Sequence, residues 1–276
     1  MTHERRVLFS SGAISVVDFR CREHGDREGP EEPNETHSIA LVRRGIFRRS
    51  AQGRAVVADA NHVLFFNEAH GYRFSHPVPG GDDCTILTIA TPLALEMVAR
   101  HAPRDAERAE VPFRIGHGVA STRTRRLHYE LLRATRQSEL AIEDILAELG
   151  DEAVRDAYQQ TPTATPVQRR HREVTEAAKL VLNRRMASPP SLTALARSLD
   201  CSPFHLSRVF HATAGVSLRR YLGRLRAGIA ADRLARGVTD LTDLALSLGY
   251  ADHSHFTNAF RRELGVAPSQ FRRNFS

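Results

Sequence analysis

The sequence predicts a multidomain α and β chain: a β-rich N-terminal domain, a helical hairpin, and an all-α C-terminal domain with two helix-turn-helix units. Three observations carry this expectation. Short apolar runs broken by turn residues dominate up to about residue 90; beyond it the apolar period lengthens to that of helices; and from about residue 190 a helical segment repeats after about 50 residues.

The 276 residues provide for about two domains, each large enough to bury its own core. Charge is shared unevenly between them. The net charge is +7, yet from Val167 onward 18 lysines and arginines face 8 aspartates and glutamates, a surplus of ten that leaves an excess of three acids in the remainder. A basic domain joined to a mildly acidic one fits a chain of which one half meets a polyanion. Lys179 is the only lysine, and arginine suits paired contacts to phosphate and guanine. Cys21, Cys84 and Cys201 are too few and too scattered for a disulfide framework and fit a reducing compartment. No apolar run approaches the ~20 residues of a membrane span, and the first residues lack a hydrophobic signal core. The expectation is a cytoplasmic protein with no membrane partner.

Along the N-terminal half, residues 13–19, 38–42, 45–49, 55–58, 62–66 and 85–89 read as strands separated by Gly and Pro turns, as in a sandwich or barrel. Thr91-Pro92 then opens a short helix to about His101. Residues 122–137 and 139–158 place Leu127, Leu131 and Ala134, then Ile142, Ile145, Leu146 and Leu149, at helical spacing. This hairpin either packs on the strands or forms a dimerisation surface. Thr161-Pro-Thr-Ala-Thr-Pro166 has the composition of an interdomain linker.

The repeat is specific. Leu192-Thr-Ala-Leu-Ala-Arg-Ser-Leu199 matches Leu241-Thr-Asp-Leu-Ala-Leu-Ser-Leu248, and Leu206, Phe210, Gly215, Val216 and Tyr221 match Phe256, Phe260, Gly265, Val266 and Phe271. The offset rises from 49 to 50 across the turn, so the second turn carries one extra residue. Ser191, Ser202-Pro203 and Asp252 supply N-cap signals, Gly249 permits a turn, and the small Ala196 and Ala245 allow close helix crossing. In such a unit the second helix enters the major groove. Its outward positions are Phe204, Ser207 and Arg208 in the first copy, and His253, Ser254, Thr257 and Asn258 in the second. A single helix over residues 217–235 is expected to join the units and fix their separation.

The segment Gly249-Tyr-Ala-Asp-His-Ser-His-Phe-Thr-Asn-Ala-Phe-Arg-Arg-Glu-Leu-Gly-Val-Ala-Pro-Ser-Gln-Phe-Arg272 strongly resembles the C-terminal signature of the AraC/XylS family of transcription regulators. The match extends through Ser202-Pro-Phe-His-Leu-Ser-Arg-Val-Phe210 and Gly215-Val-Ser-Leu-Arg-Arg-Tyr221. The resemblance implies a seven-helix domain over roughly residues 171–276 that binds promoter DNA, with base contacts at the seven outward positions named above. It also implies a regulator that answers a small molecule or other signal and acts on transcription with RNA polymerase as partner, and a homodimer.

More loosely, His37-Ser-Ile-Ala-Leu-Val-Arg-Arg-Gly45 and Ala58-Asp-Ala-Asn-His-Val-Leu-Phe-Phe-Asn67 resemble strands of the cupin-like β-barrel that serves as the sensing domain in this family. The metal-binding cupin spacing of two close histidines and a glutamate is absent, which argues against an enzyme. Three cysteines likewise cannot form the four-cysteine zinc site of DNA-repair methyltransferases that share the DNA-binding module. On this reading residues 1–110 form the cupin-like domain, 111–160 the hairpin, 161–170 the linker and 171–276 the DNA-binding domain, with units at about 190–213 and 240–264. His37, Phe66, Tyr72 and Phe74 are candidates to line a ligand pocket. No cofactor is expected. Cys21-Arg-Glu-His24 with Cys84 offers only a weak metal set, since no second ligand pair supports it; ordinary core cysteine is the competing reading.

Overall fold

The computed structural model describes residues 3–137, 141–159 and 167–275. It divides into two compact units, Met1–Thr161 and Pro162–Ser276. Residues 161–166 of the expected linker lie outside the described residues, and 167–170 are already helical.

The first unit opens with strands β1 (His3–Ser10), β2 (Ile14–Cys21), β3 (Glu32–Pro33), β4 (His37–Arg44), β5 (Ile46–Ala51), β6 (Arg54–Asp59), β7 (His62–Phe66), β8 (Gly71–Ser75) and β9 (Asp82–Ile89). Helix α1 (Thr91–Ala99), strand β10 (His117–Val119) and helices α2 (Thr122–Gln137) and α3 (Ile142–Gln159) complete it. The β-rich domain is built as two sheets, one of six strands in the order β1-β2-β9-β4-β7-β10 and one of four in the order β3-β8-β5-β6. Because side chains alternate across a strand, β4 and β7 serve two cores at once. Ile39, Leu41, Val63 and Phe65 meet Leu127, Leu131, Leu146 and Leu149 of the helices, whereas Ala40, Val42, Leu64 and Phe66 meet Phe47, Val56 and Tyr72 of the second sheet. Burial on both faces is why these strands read as unbroken apolar runs. The helical hairpin thus packs on the strands. Within the segment expected to open the hairpin, residues 117–119 instead add to the sheet edge as β10, beside β7.

A polar cluster lies within the helix-facing layer. Buried Arg43 binds Asp18 and donates to the Thr85 hydroxyl at 3.1 Å, and that hydroxyl is 2.7 Å from Nε2 of buried His128. Burial, helped by the Arg43 charge, drives the His128 pKa down to about 3. The ring is therefore neutral, and Thr85 accepts from Arg43 while donating to His128.

The second unit has seven helices among the described residues: α4 (Val167–Arg184), α5 (Leu192–Ser198), α6 (Pro203–Ala214), α7 (Leu218–Ala235), α8 (Leu241–Ser247), α9 (His253–Leu264) and α10 (Pro268–Arg273). Capping follows the sequence closely. Ser191, Ser202, Ser217 and Asp252 each accept a backbone N–H of the following turn, and Gly215 and Gly265 end α6 and α9 in the left-handed conformation. At α1, Ala90 takes the N-cap position without a side-chain hydrogen bond, and Thr91 is the first helical residue.

Candidate nucleic-acid interface

Each helix pair of the second unit is closed by the same backbone device. In the first turn Asp200 adopts φ +50°, and the N–H of Cys201 returns to the carbonyl of Ala196 at 3.1 Å. In the second, Gly249 adopts φ +77°, and the N–H of Tyr250 returns to Ala245 at 3.0 Å. The connection is four residues long between α5 and α6 and five between α8 and α9, the extra residue following the shared hydrogen bond. Fully buried Ala196 and Ala245 sit at the crossings. Below them the repeat preserves an aromatic pair: Phe210 meets Tyr221 edge-on at 5.3 Å, and Phe260 meets Phe271 edge-on at 5.5 Å. Inward residues of α6 and α9 are thereby committed to the core, which fixes what the opposite faces present.

Those faces carry the expected positions. Phe204 is 76% exposed, with the Arg208 guanidinium 5.8 Å over its ring, and Ser207 is also exposed. On α9, His253, Ser254 and Asn258 are exposed. Thr257 is half-buried, with its hydroxyl turned away from solvent and without a hydrogen-bond partner. A large exposed aromatic over which an arginine lies is costly in water and useful against a base edge or sugar.

No local pattern in the sequence marks the contacts that join the two helix pairs. Arg226, buried on α7, donates to the carbonyls of Met186 at 2.7 Å and Ala187 at 3.4 Å, and lies 5.4 Å over the Tyr250 ring. A Cβ on Gly249 would fall 2.0 Å from the Ala187 oxygen, so the second turn rests directly on the segment before α5. Arg224 of α7 further pairs with fully buried Glu263 of α9 at 3.4 Å. Such residues look like surface arginines in the sequence because nothing local distinguishes them.

In the first unit, the pocket candidates separate. Phe66, Tyr72 and Phe74 belong to the layer between the sheets, where Phe66 lies 4.9 Å from Tyr72 and 6.3 Å from Phe74. His37 does not join them, a correction that strand alternation explains: it shares the helix-facing side with Ile39 and Leu41. There it stacks edge-on with Phe113 and accepts the Glu68 N–H at Nδ1. Burial holds its pKa below the ordinary value against the pull of Glu68. Inside the aromatic layer stands a residue the sequence reading missed, Arg49, which donates to the carbonyls of Phe65 and Gly116 and lies over the rings of Phe66 and Tyr72. Of the metal candidates, Cys21 and Cys84 are buried, but His24 is exposed.

Residues 195–274 match the model of a helix-turn-helix domain. An HTH-type transcriptional regulator of Mycobacterium tuberculosis is 36% identical over 104 residues, which cover 38% of this chain and 30% of that protein. The bifunctional transcriptional activator and DNA repair enzyme Ada of Escherichia coli is 33% identical over 41% of this chain and 31% of its own length. An AraC-like transcription regulator of Streptomyces lividans is 34% identical over 37% of this chain and 33% of its own length. The chain therefore spans about a third of the curated relatives it matches. The C-terminal domain matches a helix-turn-helix domain over residues 195–274 and is similar to the corresponding part of these regulators.

Proposed function

We propose that the protein is a sequence-specific DNA-binding transcription regulator, in which α6 and α9 read successive major grooves of promoter DNA. The observation that carries this reading is the duplicated unit, each copy spending its apolar face on the core and holding a polar or aromatic face in solvent. A merely electrostatic DNA binder needs no such pair of unlike readers. Phe204, Ser207, Arg208, His253, Ser254, Thr257 and Asn258 make the base contacts, and the surplus of basic residues supplies phosphate contacts. The relatives named as transcriptional regulators support the reading.

The β-rich unit serves as the sensing domain for a small molecule or other signal, the chain acts in the cytoplasm as a homodimer, and its regulatory output runs through RNA polymerase. It is a regulator rather than an enzyme; the repair function in the name of Ada is not carried over. Among the described residues no helix is long and apolar enough to cross a membrane.

Selection of random duplex DNA by the full chain at physiological salt tests the central point. Enrichment of one sequence with two subsites is expected; binding without preference would overturn it.

A further inference from the structure

At the end of the β2–β9 ladder, Cys21 and Asp82 are directly opposed cross-strand partners. His76, just beyond β8 of the other sheet, is brought to them by a two-way backbone bridge with Gly25, at 2.9 and 2.8 Å. Its Nε2 stands 2.9 Å from Oδ1 of Asp82. The Cys21 sulfur, the His76 nitrogen and the Asp82 oxygen all lie within 4.8 Å of one another, and all three residues are buried.

We propose that Cys21, His76 and Asp82 form a binding site for a divalent transition metal of the zinc class. The donor set decides the class. One thiolate, one imidazole and one carboxylate match the borderline-soft preference of zinc, whereas magnesium and calcium take oxygen alone. A single ion at roughly 2.0–2.3 Å from each donor closes the group with small side-chain movements.

Two further features make the site a built one. The backbone beneath it has no slack, since a Cβ on Gly81 would fall 2.0 Å from the Cys21 carbonyl oxygen. Cys84, fully buried two residues along β9, donates its thiol to the other carboxylate oxygen of Asp82 at 3.4 Å, leaving Oδ1 for the ion. The fourth position of a tetrahedral ion then falls to water. On binding, the ion takes the place of the Cys21 thiol proton and of the His76 Nε2 proton, both of which leave to solvent.

Cys21 and Asp82 belong to the six-stranded sheet and His76 follows a strand of the four-stranded one. The ion would therefore pin the two sheets together at one end.

Cobalt(II), a spectroscopic stand-in for zinc, tests this on the full chain stripped with a chelator. One equivalent is expected to give the visible bands of a tetrahedral site and a thiolate-to-metal charge-transfer band, both bleached by zinc(II), which also raises the unfolding temperature. Cys21→Ser should abolish the charge-transfer band, and His76→Gln and Asp82→Asn should weaken binding at least tenfold. His24→Ala and Cys201→Ser should leave one equivalent bound. The proposal is overturned if the unaltered chain shows no stoichiometric thiolate band, an outcome independent of how any variant folds, or if the band survives in folded Cys21→Ser.

Discussion

Arg208 lies over an exposed phenylalanine ring with no carboxylate holding it among its described contacts, an arrangement poised for a partner outside the chain. Arg208→Ala is expected to weaken specific DNA binding by about 1–3 kcal/mol and to relax selection at one base position. A competition assay across single-base variants of the selected site measures both; uniform weakening over all sequences would make Arg208 a phosphate contact instead. His128 leads to a prediction about acid. Its pKa is about 3 in the fold against 6.5 when exposed, so the folded state holds the neutral ring and the unfolded chain binds the proton first. That stability is fully present above pH 6.5 and drains away as pH falls toward 3, and lowered Asp18 adds to the loss at the acid end of the range. Denaturant titrations from pH 7 to about 4 should show the decline, and His128→Gln should flatten it over the upper part of that span. If the variant and the parent decline in parallel, another group is responsible.

At the scale of elements, legibility follows how local the determining interactions are. The helices of the second unit were readable because caps, turn glycines and apolar spacing lie within a few residues of one another, as Ser202, Asp252 and Gly265 show. Strand β1 was largely missed, since His3–Ser10 is a mostly exposed edge strand rich in charge and its pairing with β2 carries no apolar pattern. Strand β8 was missed as well, because Gly71–Ser75 owes its place to β5 and β3 rather than to its own composition. His37 was grouped with Phe66, Tyr72 and Phe74 on residue type alone, and only the strand's face assignment separates them. Likewise, His76 and Asp82 lie 55 and 61 residues from Cys21 in sequence, and Asp82 falls outside the run 85–89 read as a strand. Two glycines test the turn geometry. Gly249→Ala must accept both a left-handed backbone, costing about 1–3 kcal/mol, and a Cβ 2.0 Å from the Ala187 carbonyl. Gly265→Ala meets the backbone cost alone, with nothing within 4 Å of its Cβ. Unfolding measurements should therefore find Gly249→Ala clearly the more damaging; equal losses would mean that the second turn is not seated on Ala187.

For the whole molecule, the chain separates its tasks by chemistry. The unit with two sheets and three helices commits its apolar strands to two cores and keeps a buried polar cluster in one of them. The seven-helix unit carries the surplus of positive charge. A readable repeat and a charge imbalance were enough to locate the helix-turn-helix end, whereas the core of the β-rich unit depends on how distant strands converge. Within the seven-helix unit, α7 joins the repeats as one uninterrupted helix of about 27 Å at 1.5 Å per residue. Arg226 ties that helix to Met186, Ala187 and Tyr250. If α6 and α9 read DNA as proposed, both are borne on one such body, and the expectation is a caliper of fixed opening rather than two tethered hands. Inserting about 5 base pairs between the subsites turns the second groove to the far side of the duplex, and inserting about 10 restores the side but moves it out of reach. Both insertions are expected to reduce affinity to that of a single subsite, and recovery at the longer spacing would show that the jaws can slide.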